Sequence, residues 1–128
     1  METTPLKILL ISADAALARR VGELLGAAVD LTVEPTADAG LAMVATNNFN
    51  AVLFEILQAN AAALFQITSL TTKASRLPVI VIGPDDDDQF LAEAVFSGAQ
   101  DYLGRPTLTA TMLGHALHGA ISRQGERQ

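Results

Sequence analysis

The residue of this sequence that is most clearly placed to do chemistry is Glu55, a carboxylate inside the apolar run AVLFEIL at positions 51–57. Burying an ionised carboxylate without a partner costs several kcal/mol, so such a group needs either solvent or a counter-charge. We therefore expect Glu55 to lie at the solvent-facing end of its element or to be held by a partner.

Two other groups of polar residues could do chemistry. The aspartates Asp85–Asp88 could bind a cation, but an acidic cluster at a helix start is explained by capping and by the helix dipole. His115 and His118 are one helical turn apart and could bind a metal or accept a phosphate, yet no third ligand or nearby acid is evident. We interpret them as a solvated pair. A Ser-His-Asp arrangement and a glycine-rich nucleotide loop are both missing.

Composition excludes several classes of function. The chain has 128 residues, which predicts a single domain over 1–128. It contains no cysteine, so disulfides, zinc thiolate sites and cysteine nucleophiles are excluded. The net charge of -6 repels phosphate backbones and argues against nucleic-acid binding. No apolar run approaches the ~20 residues of a membrane span, and the start lacks the pattern of a signal peptide, so we expect a cytoplasmic protein without membrane contact.

The elements that would position Glu55 are short apolar strands alternating with amphipathic helices. Three of the strands are apolar nearly throughout, as in parallel strands covered on both faces. This alternation predicts an α/β three-layer sandwich with a parallel five-stranded sheet in the flavodoxin-like order 2-1-3-4-5. Thr36 is a candidate N-cap, Gly26 a candidate helix stop, and the third helix is the weakest. The predicted strands are Leu6–Ile11, Asp30–Glu34, Ala51–Ile56, Pro78–Gly83 and Asp101–Leu103.

In such a sheet, sites form beyond the carboxyl ends of the central strands. These ends lie after Ile11, at Glu55, after Ile82 and after Leu103. The pattern therefore places Glu55 at the mouth of a strand, where water or a partner can reach it.

The segment PVIVIGPDDDDQFLAEAVFSGAQDYLGRP, at positions 78–106, resembles response-regulator receiver domains over their fourth strand, fourth helix, Gly-Ala corner, fifth strand and terminal Lys-Pro. ILLIS and AVLFE fall where that family has its first and third strands. The resemblance runs from about Leu6 to Ile121 and implies the same (βα)5 fold as the pattern.

Receivers of this family transfer a phosphoryl group to an aspartate with the help of a divalent cation. The resemblance implies that an acidic pair is replaced by Ser12 and Ala13, next to Asp14, and that the acceptor aspartate is replaced by Glu55. It likewise implies that Gly83 replaces a Ser or Thr of the family and that Arg105 replaces a Lys. The positions assigned to the site are Ser12, Ala13, Asp14, Glu55, Gly83 and Arg105, with Tyr102 as the switch aromatic of the fifth strand.

These substitutions predict a degenerate site. Glu55 is longer than aspartate by one methylene, and in-line transfer tolerates little misplacement. Mg²⁺ prefers hard oxygen ligands, of which too few remain, so we expect no metal and no cofactor. Gly83 has no hydroxyl to couple to Tyr102. Arg105 keeps a positive charge and could pair with Glu55, either as a structural contact or as an imitation of the phosphorylated state.

We therefore expect a non-enzymatic pseudo-receiver that acts through protein partners or a downstream domain, for example one of cyclic-di-GMP turnover. The polar residues 122–128 are read as a tail or the start of a linker within a longer signalling protein. Two alternatives stay open: a functional phospho-acceptor of a two-component phosphorelay, and a targeting domain of a pilus-assembly ATPase.

Two further expectations come from the resemblance. The bond before Pro106 is expected to be cis, as at the family's Lys-Pro. A homodimer is expected through the fourth helix, fifth strand and fifth helix, where Phe90, Phe96 and Met112 lie off or at the margin of the main core stripes.

Overall fold

Five parallel strands form one sheet in the order β2-β1-β3-β4-β5, as the alternation of elements predicts. The computed structural model describes residues 5–126. The strands differ from their predicted bounds by at most one residue at either end. They are β1 (Leu6–Ile11), β2 (Val29–Glu34), β3 (Ala51–Glu55), β4 (Val79–Gly83) and β5 (Asp101–Gly104).

Each strand is followed by a helix, and two short 3-10 turns cover Gly26–Ala28 and Arg105–Thr107. Residues 122–126, which the sequence assigned to a tail or linker, continue the last helix, while Arg127 and Gln128 lie outside the described residues. No described helix is long and apolar enough to cross a membrane. The helices are α1 (Ala15–Leu25), α2 (Ala37–Thr46), α3 (Ala61–Lys73), α4 (Asp88–Phe96) and α5 (Ala110–Glu126).

Side-chain caps fix where the helices begin. Asp14, Thr36, Asn60 and Asp87 each accept hydrogen bonds from backbone N–H groups of the following helix. The predicted cap at Thr36 is thus confirmed, and the acidic run supplies the cap of α4. Gly26 ends α1 with φ 73°, a left-handed value that favours glycine.

The helix predicted to be weakest, α3, is a regular helix of 13 residues. Its Thr-rich end is compatible with this because Asn60 caps its start and Ala63, Ile67 and Leu70 are buried against the sheet. Tertiary packing of this face outweighs the low helix propensity of threonine.

The core has two layers, one on each face of the sheet. One packs α2, α3 and α4, and the other packs α1 and α5. The central strands β3 and β4 are buried, which explains why their sequences are nearly uniformly apolar. Glu55 is the exception, as the last residue of β3.

The strand register brings the carboxyl ends of the central strands to one edge. Ile11 is paired with Phe54, Glu55 with Ile82, and Gly83 with Gly104. The residues that follow these positions therefore meet above the same part of the sheet.

Candidate functional site

Glu55 is held by two partners at the end of β3. Its side chain is only 5% exposed. Oε1 accepts a hydrogen bond from the Ser12 hydroxyl at 2.6 Å, and Oε2 accepts one from Arg105 Nη1 at 2.9 Å. The carboxylate is thus held by partners at the end of its strand, as expected for a charged group in an apolar run.

Arg105 joins two carboxylates that come from different strands. Its Nη1 binds Glu55 at the end of β3, and its Nη2 donates a short hydrogen bond to Oδ2 of Asp14, which follows β1. A guanidinium presents its donors in a fixed plane, so one side chain can hold two acceptors in a defined geometry. The ion pair suggested by the sequence is present, and Asp14 makes it a three-membered bridge.

Asp14 serves both α1 and this bridge. Its Oδ1 accepts from the backbone N–H groups of Ala16 and Leu17, while its Oδ2 binds Arg105. The hydrogen bond from Arg105, followed by that from the Leu17 N–H, lowers the pKa of the Asp14 carboxyl below its usual value of 3.8. The ionised form is therefore the one that the folded protein stabilises.

Arg20, on α1, holds the turn that carries Arg105. Its Nη1 donates to the carbonyl oxygen of Arg105 at 2.9 Å, and its Nη2 donates to that of Leu108 at 2.8 Å. The sequence analysis missed this residue. Its target is backbone, so no side-chain pattern in the sequence could point to it.

The bond between Arg105 and Pro106 is trans, so the expected cis-proline is wrong. Pro106 lies in the first turn of the 3-10 helix Arg105–Thr107, a position that suits the fixed φ of proline and its missing N–H group. Arg20 holds both ends of this turn. A trans bond in this setting still presents the Arg105 side chain to Glu55.

Tyr102 fills the space above Gly83. Its side chain is buried, its hydroxyl donates to the backbone carbonyl of Asp85 at 2.7 Å, and its ring packs against Phe90 with centroids 5.4 Å apart. A Cβ atom at position 83 would overlap the tyrosine hydroxyl and ring. Glycine here therefore removes a hydroxyl and also makes room for the buried tyrosine. Burial, followed by Asp87, Asp85 and Asp86, raises the pKa of the Tyr102 phenol.

The predicted interface residues separate into two groups. Phe90 is 4% exposed and belongs to the core, so its assignment to an interface is wrong: it is needed to pack against Tyr102. Phe96 is 94% exposed and Met112 is 39% exposed. Of the three predicted residues, only Phe96 and Met112 are available at the surface, where Val95 of α4 is also exposed.

The other polar clusters do not converge on the site. Asp86 accepts hydrogen bonds from the Thr107 hydroxyl, Asp87 caps α4, and His115 and His118 are exposed on α5, as expected. Among residues 5–126, no three His, Cys, Asp or Glu side chains are grouped as a metal site would require.

The residues present do not fit the divalent cation of a receiver domain. Mg²⁺ binds through carboxylate and other oxygen ligands, usually keeping several waters. Ala13 supplies no ligand, both oxygens of Glu55 accept hydrogen bonds, and the single positive charge of Arg105 is already shared between Asp14 and Glu55. A guanidinium thus occupies the position where a cation would need free oxygens.

An open groove of about 960 Å³ lies beside Glu55, between the ends of β1 and β3 and the starts of α2 and α3. Its wall includes Ser12, Thr36, Leu57, Asn60 and Gln66. Two members of the bridge, Asp14 and Glu55, line this groove, while Arg105 does not. The sequence did not indicate the groove, because it depends on how α2 and α3 are placed.

We expect Asp14→Asn to make the free energy of unfolding depend less on pH under acidic conditions. The lowered pKa means that the contribution of ionised Asp14 is present above its usual pKa and is lost as pH falls through its value in the folded protein. Asparagine still caps α1, so the change removes mainly the bridge to Arg105. Urea unfolding between pH 2 and pH 7 measures this, with Asp30→Asn as a control at an exposed site outside the bridge. If the free energy of unfolding fell equally with pH in wild type and Asp14→Asn, the stabilising role of the Asp14–Arg105 pair would be refuted.

We expect Gly83→Ser to destabilise the protein by about 1–3 kcal/mol, because the new side chain overlaps Tyr102. The same change made in a Tyr102→Ala background, where the space is free, should be much less harmful. A double-mutant cycle measured by denaturant unfolding gives the coupling between the two positions. Purely additive effects would mean that Tyr102 does not exclude a side chain at position 83.

A scan of the sequence against models of known protein families finds no match, and a search of curated protein sequences finds none either. Solved structures do match. A receiver domain protein from Methanospirillum hungatei JF-1 aligns with a TM-score of 0.76 at 18% identity, over 97% of this chain and 99% of that chain. A putative pilus assembly-related protein from Burkholderia pseudomallei K96243 aligns with a TM-score of 0.78 at 22% identity, over 95% of this chain and 94% of that chain.

A third solved structure is that of an atypical orphan response regulator with a phosphorylation-independent regulatory mechanism. It aligns with a TM-score of 0.75 at 19% identity, over 91% of this chain and 96% of that chain. Identities at this level establish the fold and leave function to be argued from the site. The chain has the flavodoxin-like α/β fold of response-regulator receiver domains.

Proposed function

We propose that this chain is a pseudo-receiver, a receiver-like signalling domain that works through protein contact and without phosphotransfer. The observation that carries the proposal is the bridge from Arg105 to both Asp14 and Glu55. It places a fixed positive charge among the groups that a receiver uses for its cation and phosphoryl group.

Glu55 is poorly suited to accept a phosphoryl group. A nucleophilic carboxylate needs a free oxygen aligned with the donor, and catalysis by positioning is lost with displacements of about 1 Å. Both Glu55 oxygens already accept hydrogen bonds, and the side chain is almost completely buried. The two hydrogen bonds draw electron density from the carboxylate and hold it in place, so Glu55 is a weak and poorly oriented nucleophile without a cation to position the donor.

The bridge also supports the idea that Glu55 imitates an occupied site. In this protein Arg105 ties β5 to β3, and Tyr102 is held inward by the Asp85 carbonyl over the space left by Gly83. Both contacts favour one arrangement of the strand ends. We therefore propose a domain held constitutively in one state, whose output depends on binding partners.

The surface of α4, β5 and α5 is the proposed contact for a protein partner or an attached output domain, including one of cyclic-di-GMP turnover. Phe96 and Met112 supply its exposed apolar groups. A homodimer through this surface stays a prediction, now without Phe90, which is buried. A cytoplasmic location and the absence of enzymatic activity likewise stay predictions.

A targeting domain of a pilus-assembly ATPase is the second candidate function. It is favoured by the structural similarity to the putative pilus assembly-related protein of Burkholderia pseudomallei. Both candidates treat the domain as an interaction module. They differ in whether the domain acts on a signalling output or brings an ATPase to its site of assembly.

Incubation with Mg²⁺ and a small acyl-phosphate donor should leave the mass of the protein unchanged. Glu55→Asp alone should not restore labelling, because the missing carboxylates of the cation site are not replaced. Labelling, if it can be restored, is expected in the variant that also carries Ser12→Asp and Ala13→Asp. Intact-mass spectrometry measures the outcome, with a phosphorylatable receiver domain as the positive control.

One result would overturn the proposal directly. Stoichiometric phosphate on the wild-type protein, stable in acid and released by hydroxylamine, would identify an acyl phosphate. The chain would then be the alternative considered from its sequence, a functional phospho-acceptor with unusual ligands.

A further inference from the structure

The outward face of α3 is uncharged and carries a large exposed aromatic side chain. Phe65 is 77% exposed, and Leu57, in the loop before the helix, is 76% exposed. The chain has no charged residue from Ile56 to Thr72, although much of this segment is at the surface. Surface helices normally carry charges opposite their buried stripe, whereas depletion of charge and exposed aromatics are typical of an interface core.

Four exposed positions of α3 form a stripe directly opposite its buried positions. Ala61, Phe65, Thr68 and Thr72 recur at helical spacing and are all exposed, while Ala63, Ile67 and Leu70 face the core. The hydroxyl of Thr68 donates to the backbone carbonyl of Leu64 at 3.0 Å. Its hydrogen-bonding capacity as a donor is thereby used within the helix, which makes this face less polar than its composition suggests.

Charge around this stripe differs between its two ends. Lys73 in the last turn of α3 and Arg76 just after it are exposed, and they lie beside Val44 of α2. Asp38 is exposed in the first turn of α2, at the opposite end of the helical layer. The uncharged face of α3 is therefore flanked by an acidic side chain of α2 at the end where both helices begin, and by two basic side chains at the end where α3 stops.

We propose that the α3 face binds a second copy of this chain, with the two α3 helices antiparallel. A two-fold axis across the middle of α3 places the acidic end of one copy against the basic end of the other, so Asp38 approaches Lys73 of the second copy. A parallel arrangement would place like charges together. Two molecules of net charge -6 repel each other, and an uncharged contact with complementary ends limits that repulsion.

The stripe is symmetric about the middle of the helix, as an isologous contact requires. In the antiparallel pair, Phe65 lies opposite Thr68 and Ala61 lies opposite Thr72 of the second copy. The two Phe65 residues are then about 4.5 Å apart along the helix axis. This offset allows their rings to reach the centroid separation of roughly 4.5–7 Å that aromatic pairs prefer.

This surface is distinct from the bridge at Arg105 and from the surface of Phe96 and Met112. Self-association and the lack of phosphotransfer can therefore be tested independently. Failure of one would leave the other unaffected.

Sedimentation over a concentration series tests the proposal. We expect a reversible dimer, and we expect Phe65→Ser to raise its dissociation constant at least tenfold while leaving the circular dichroism spectrum unchanged, because the side chain is exposed. Val33→Ser, at an exposed apolar residue of β2 outside both proposed contact surfaces, is the control and should have little effect. A monomeric wild type at millimolar concentration would overturn the proposal, as would a dimer that depends on Phe96 and not on Phe65.

Cross-linking tests the antiparallel orientation, and the chain helps because it has no cysteine of its own. A mixture of Ala61→Cys and Thr72→Cys proteins should form heterodimers with a short bismaleimide. Ala61→Cys alone should cross-link poorly, because its two copies would be about 16 Å apart along the helix axis. Efficient cross-linking of Ala61→Cys with itself would contradict the antiparallel arrangement.

Charge reversal tests the pairing of the charged ends separately from the apolar contact, because it changes the dissociation constant of the dimer only if those ends meet. Asp38→Lys should weaken the dimer several-fold, and combining it with Lys73→Glu should restore most of the loss. Absence of any recovery in the combined variant would contradict the pairing of the acidic and basic ends.

Discussion

The guanidinium of Arg105 is the group on which the arrangement of the strand ends depends. Glu55 is nearly fully buried, and an ionised carboxylate in that position is tolerated only with a counter-charge and hydrogen bonds. Arg105 supplies the charge, and Ser12 binds the second oxygen. Because Arg105 also holds Asp14 at the start of α1, one side chain connects the ends of β1, β3 and β5. In our proposal, this arginine takes the place that a cation has in receivers.

Tyr102 and Gly83 form a second contact with the same effect. The tyrosine is buried only because position 83 lacks a side chain, and its hydroxyl is satisfied by the Asp85 carbonyl. A switch requires two arrangements of similar free energy. Here the inward position of Tyr102 is favoured by its hydrogen bond, by its packing against Phe90 and by the free space above Gly83. The bridge at Arg105 forms without any ligand. These two contacts are the physical basis for our proposal that the domain is held in one state and acts as a binding module.

Sequence reasoning succeeded where the cause is local. The apolar runs predicted the five strands to within a residue or so, because buried parallel strands require them, and Thr36 and Gly26 marked helix ends through their own chemistry. The pairing of Glu55 with Arg105 was accessible because a buried charge needs a partner. The failures have tertiary causes: Phe90 is buried by Tyr102, and the trans bond at Pro106 lies in a turn held by Arg20 from another helix. Neither contact leaves a pattern in the neighbouring residues.

The most direct test of this account is a titration of the ¹⁵N-labelled protein with Mg²⁺, followed by amide chemical shifts around Asp14 and Glu55. If Arg105 takes the place of the cation, wild type should show no saturable shifts up to about 10 mM Mg²⁺, whereas Arg105→Ala, which frees both carboxylates, should gain weak binding. Saturable shifts at these residues in wild type would contradict the account, because they would show that the cation competes successfully with the guanidinium.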